Sequence, residues 1–135
     1  MVKVIMAAQG SGKTKDLIAS INESVKNENG SVVCLEKGNT LRYDINYRVR
    51  LIDTDDYSIA SMPVLQGFIS GLHAGNFDIS HIFIDSLYKI LGCDKDKAAE
   101  FCAWCEGFAA KNDLRFTITV SDDPNTANEG LKKYL

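Results

Sequence analysis

Val2-Lys3-Val4-Ile5-Met6 runs directly into Ala7-Ala8-Gln9-Gly10-Ser11-Gly12-Lys13-Thr14, and behind that loop Leu17, Ile18, Ile21 and Val25 recur at helical spacing. A short apolar run, a glycine-rich turn and an amphipathic stripe predict a strand, a loop and a helix in that order. This arrangement aims consecutive backbone N–H groups, and the positive end of a helix dipole, at one point in space. A multiply charged anion suits such a point. Gly10 and Gly12 let the main chain curl with positive φ and leave no Cβ between backbone and anion.

The stretch has the form of a phosphate-binding loop of the Walker A type, with Ala7 where the first glycine usually stands. On this reading Ala8, Gln9, Gly10, Ser11, Gly12, Lys13 and Thr14 wrap the phosphates of a nucleotide. Lys13 is a movable point charge for the β- and γ-phosphates, and the Thr14 hydroxyl is placed to ligate Mg²⁺.

Outward from this loop, strand and helix patterns alternate to the C-terminus, which predicts an α/β fold with a mostly parallel sheet and helices on both faces. Asn29-Gly30 closes the first helix, and Val32-Val33-Cys34-Leu35 reads as a buried strand. From Leu41 to Leu51 apolar and polar residues alternate strictly, predicting a half-exposed antiparallel strand or hairpin at the sheet edge. Ser61 and Pro63 open a helix that Gly75-Asn76 stops, and Ile82-Phe83-Ile84-Asp85 is a further strand. A helix over roughly Asp94 to Lys111 and a strand through Leu114, Phe116, Ile118 and Val120 follow. Asn125 to Leu135 reads as a short closing helix.

With 135 residues and 45% hydrophobic content, the chain is expected to form a single domain, residues 1–135, with a substantial core. Its formal net charge of -3 argues against nucleic acid as the default partner. The N-terminal apolar run is too short for a secretory segment and nothing approaches membrane-spanning length, so a cytoplasmic location is expected. Cys102-Ala103-Trp104-Cys105 has the local spacing of a zinc or redox pair, but it falls inside a helical apolar stripe, where cysteine acts as a small hydrophobe.

A phosphate loop needs a carboxylate on a neighbouring strand to complete a Mg²⁺ shell, and Asp85, ending an apolar strand, is the candidate. Hydrolysis asks for one further group to orient water. The residue after Asp85 is Ser86 rather than Glu, which turns attention to Glu36 at the end of the preceding strand.

Together, Val32-Val33-Cys34-Leu35-Glu36 and Ile82-Phe83-Ile84-Asp85-Ser86-Leu87 resemble the core of the RecA and KaiC class of ATPases. That resemblance implies a RecA-like P-loop fold binding Mg²⁺ and ATP, Glu36 as the group that activates water, Lys13 as a catalytic cation, and Ser121 at the γ-phosphate sensing position. It also implies a neighbouring subunit's Arg or Lys, for which Arg42, Arg48 and Arg50 are candidates; their even spacing equally fits a wet edge strand. As a whole the chain is similar to short stand-alone bacterial P-loop proteins often catalogued as twitching-motility (PilT-like) or ATP-binding proteins.

Three functions compete at this level. The first is an Mg-ATP-binding NTPase with slow hydrolysis, raised by self-assembly or a protein partner. The second is a nucleotide-dependent switch without turnover. The third is a small phosphotransferase like thymidine kinase, disfavoured by Asp85-Ser86 and by the unclustered cysteines.

Overall fold

The computed structural model describes all residues from Met1 to Leu135. Its elements are β1 (Val2–Ala7), α1 (Lys13–Asn27), β2 (Ser31–Glu36), β3 (Arg50–Asp53), α2 (Met62–Gly75), β4 (Ile79–Asp85), α3 (Leu87–Leu91), α4 (Lys95–Asn112), β5 (Arg115–Ser121) and α5 (Glu129–Lys132). The strands form one five-stranded sheet in the order β1-β5-β4-β2-β3, and every pairing is parallel.

The order explains how the layers divide. From β1 to β2 to β3 the chain moves across the sheet in one direction, and from β3 to β4 to β5 it moves back. Right-handed crossovers place connections of opposite direction on opposite faces. The α1 stripe Leu17, Ile21 and Val25 accordingly packs on Val32, Cys34 and Phe83, together with Leu41 and Val49 from the β2–β3 connection. On the other face α2 and α4 bury Leu65, Ile69, Phe101, Cys102 and Cys105 against Val33, Leu35, Ile82, Ile84, Phe116 and Ile118. The paired cysteines thus belong to the core, where burial pushes the Cys102 thiol up to about 12 and Cys105 upward as well.

The segment from Leu41 to Leu51 departs from expectation. Instead of an antiparallel strand or hairpin it is a run of turns, and only Arg50–Asp53 forms a strand, parallel to β2 with Glu36 opposite Asp53. The residues that face inward are Leu41, Ile45 and Val49, spaced by four, while Tyr43 and Tyr47 are 84% and 93% exposed. Side chains have taken over the backbone groups a strand ladder would have used. Asn22 of α1 donates from Nδ2 to the Asp44 carbonyl and accepts at Oδ1 from the Asn46 amide, at 3.0 and 2.8 Å. Alternation of polarity was present, but the main chain had better partners than a neighbouring strand.

No helix is long and apolar enough to cross a membrane.

Candidate functional site

Where adjacent strands send their connections to opposite faces, a crevice opens beyond their C-terminal ends. Two such crevices exist here, between β1 and β5 and between β4 and β2, and both border one cleft of about 700 Å³. Gln9, Gly10, Gly12, Lys13 and Thr14 form one wall of that cleft, and Glu36, Asp85 and Ser121 reach it from the strand ends. Of the residues the sequence assigned to the site, only Ala8 and Ser11 lie off its lining. They close the turn instead, the Ser11 amide donating to the Ala8 carbonyl at 3.2 Å.

The glycine loop follows from its backbone. Gly10 and Gly12 have φ of 84° and 90°, a region that any side chain would strain. Gly12 is also the residue that caps α1, so no side chain competes for the first amides of the helix. Lys13, in that first turn, is 8% exposed and forms none of the ion pairs of the molecule. Its side chain is thus packed along the cleft wall while its ammonium, without a protein counter-ion, opens on the cleft, where an anion would find it unpaired.

Period-two alternation puts Asp85, Glu36, Thr119 and Ser121 on the same sheet face as α1. Asp85 lies directly opposite Glu36 in the β2–β4 register. Its Oδ1 accepts from the Thr119 hydroxyl at 2.8 Å and from Ser86 Oγ at 3.3 Å, while Oδ2 has no hydrogen-bond partner in the protein. Thr119 Oγ1 also accepts from the Ser86 amide at 2.7 Å. Ser86 sits at φ 55°, a strained conformation for serine that this clamp over-determines. Thr119 is therefore the positioning residue that sequence reading missed. A polar position repeated at Thr117 and Thr119, in a strand buried on both faces, was the available signal.

Glu36 is 3% exposed and its carboxylate is already engaged. Oε1 accepts from the Thr40 amide at 3.0 Å and from the Thr40 hydroxyl, and Oε2 accepts from the Leu41 amide at 3.4 Å. It latches the turn that leaves β2. Asp53, next along the edge, does the same for Gly38 and Asp55 at 2.8 and 2.9 Å. Cys34 lies beneath these acids, its thiol pushed up by burial first and by Asp85 and Glu36 next.

No group of three or more His, Cys, Asp or Glu side chains is arranged to hold a metal ion by itself. The residues present do fit Mg²⁺ shared with phosphate: one hydroxyl, Thr14, and one carboxylate with a free oxygen, Asp85, open on the same cleft. That ion dehydrates reluctantly and takes only one or two protein ligands beside phosphate oxygens and water. Lys15, Lys37 and Lys89 add positive charge around the rim, with Lys37 held by Asp55 at 2.7 Å.

No protein-family model matches this chain, and no curated protein matches it by sequence. What stands is the class that fold and site define: a five-stranded parallel α/β protein with a glycine loop, a buried lysine and an oriented aspartate around one cleft at the C-terminal sheet edge.

Proposed function

We propose that this protein is a P-loop nucleoside-triphosphate-binding protein that holds Mg-ATP on residues 8–14 and hydrolyses it slowly, with a partner or a second copy raising the rate. The observation that carries the reading is Lys13, buried, without a counter-ion, and facing the same cleft as Asp85. The loop amides and Lys13 bind the phosphate tail and stabilise charge that develops on it during transfer. Thr14 and Asp85 hold Mg²⁺, with Thr119 fixing the Asp85 carboxylate. Bound Mg²⁺ supplies Lewis-acid neutralisation of the phosphate oxygens. Ser121, at the end of β5, borders the cleft where a terminal phosphate would be sensed.

Thermal melting with Mg-ATP, Mg-ADP and Mg-GTP tests this. A ligand at a hundred times its Kd adds about 2.7 kcal/mol, on the order of 10 °C in Tm for a chain this size. No shift with any of the three nucleotides removes the proposal.

One observation favours the second reading, a switch without turnover: both Glu36 oxygens are occupied by Thr40 and Leu41. If Glu36 nevertheless orients water, Glu36→Gln abolishes phosphate release while leaving the nucleotide-induced melting shift intact. If it serves only as a latch, phosphate release is near zero in both proteins, and the variant alone shows loosening of residues 37–41 by hydrogen exchange.

A further inference from the structure

Three of the four arginines of the chain, Arg42, Arg48 and Arg50, fall within nine residues, in a molecule whose net charge is -3. All three are exposed and none pairs with a carboxylate. Between them stand Tyr43 and Tyr47, the two most exposed aromatic residues of the protein at 84% and 93%. The Arg42 guanidinium lies over the Tyr43 ring, 4.6 Å from its centroid, and donates to the Tyr43 hydroxyl at 2.6 Å.

This is an ordered surface. Leu41 and Val49 bury its two ends against α1, Asn22 pins its middle, and Arg48 Nη2 donates to the Val25 carbonyl at 3.0 Å. The loop thus carries two aromatic rings into water on a fixed frame, at the expense of the burial that the alternating pattern would have given them. A protein partner ordinarily needs a contiguous apolar centre between such aromatic and arginine residues. Here the intervening aliphatic side chains, Leu41, Ile45 and Val49, all point the other way. What remains outside is planar rings and guanidinium groups that bond only neutral oxygens and no carboxylate, a surface for ligands that are themselves planar and anionic.

We infer that the Arg42–Arg50 loop binds single-stranded nucleic acid, with bases stacking on Tyr43 and Tyr47 and backbone phosphates meeting Arg42, Arg48 and Arg50. Open strands expose base faces to such platforms and duplexes do not. The net charge of -3, which weighs against nonspecific binding by the chain as a whole, is reversed locally: residues 41–51 set three arginines against the single carboxylate of Asp44, which lines the neighbouring cleft. This inference is independent of the triphosphate reading, and Lys13→Ala should leave it untouched.

The test is fluorescence anisotropy with end-labelled single strands of about 12 nucleotides, as DNA and as RNA, against a duplex of equal length. Binding of either single strand, weaker binding of the duplex, and a log–log salt slope of about -2 are expected for three phosphate contacts. Tyr43→Ala and Tyr47→Ala should each weaken binding by about 5- to 100-fold, while Tyr→Phe at either position retains it. Melting of the alanine variants should match the native protein, since neither ring is buried. Three results would overturn the inference: no binding to either strand, equal affinity for the duplex, or unchanged binding in both alanine variants. Displacement of the strand by polyglutamate at equal charge concentration would also overturn it, in favour of an acidic polypeptide.

Discussion

If the protein holds and hydrolyses Mg-ATP as proposed, Lys13→Ala is expected to lower turnover by about a hundred- to a thousandfold and to remove the melting shift that Mg-ATP would produce. The size follows from where the ammonium sits. Charge on a phosphoryl group in transfer spreads over its outer oxygens, and a cation fixed on a protein wall beside it acts more strongly than one free in bulk solvent. The same placement makes an unusual prediction for the protein without ligand. Lys13 is buried at 8% exposure with no carboxylate partner, and alanine is the better helix former in the first turn of α1. The variant should therefore melt at the same temperature as the native protein or above it. Differential scanning calorimetry with and without nucleotide, beside a phosphate-release assay, reads both effects. A large fall in the stability of the ligand-free variant would mean that Lys13 serves the fold rather than a ligand in the cleft. Lys13→Arg should not rescue turnover, because a planar fork cannot replace a compact ammonium in the curl of the loop.

Much of this geometry could be read in advance because it depends on short-range signals. The strand, glycine loop and helix at residues 2–27 declare themselves through apolar periods that change from two to nearly four across two glycines. Asp85 could be placed because an apolar strand in a parallel sheet ends at the same edge as the loop. The helix ends were likewise legible: Ser61 stands at the N-cap position of α2 with Pro63 in its first turn, and Asp94 accepts from the Asp96 and Lys97 amides at the start of α4. The failures share a cause. Leu41 to Leu51 alternates like a strand, yet its backbone is captured by Asn22 and its first turn by Glu36, partners that are distant along the chain or read as catalytic. Period alone cannot report which donors and acceptors are already taken. Glu36 was legible as a carboxylate at the correct edge, but its commitment to Thr40 and Leu41 is a property of the fold. Thr119 and His81 are of the same kind, polar residues whose meaning comes from a strand or helix that packs on them from elsewhere.

His81 carries the second large effect, a loss of stability as pH falls below neutrality. It is 5% exposed under the C-terminal half of α1, Nδ1 bonded to Ser24 Oγ at 2.7 Å and Nε2 to Thr117 Oγ1 at 2.8 Å. Either hydroxyl can donate or accept, so the neutral ring is satisfied whichever nitrogen bears the proton. A charged ring gains little in exchange. Glu28 stands 3.7 Å from Nδ1, beyond hydrogen-bond reach, and its carboxylate is engaged by the Arg115 guanidinium. Burial wins, and it lowers the His81 pKa from 6.5 to about 4. An unfolded chain takes up this proton near pH 6.5, whereas the folded chain resists until about 4. The stabilisation is thus present in full above the unfolded value and is lost as pH falls through the window between the two. The slope is about 1.4 kcal/mol per pH unit, which amounts to about 2 kcal/mol by pH 5, before most carboxylates titrate. Urea unfolding at pH 7, 6 and 5 should show the decline, and His81→Gln, which keeps a side chain able to bond both hydroxyls, should flatten it. Equal stability of the native protein at pH 7 and pH 5, or an undiminished decline in His81→Gln, would show that the buried ring does not set the response.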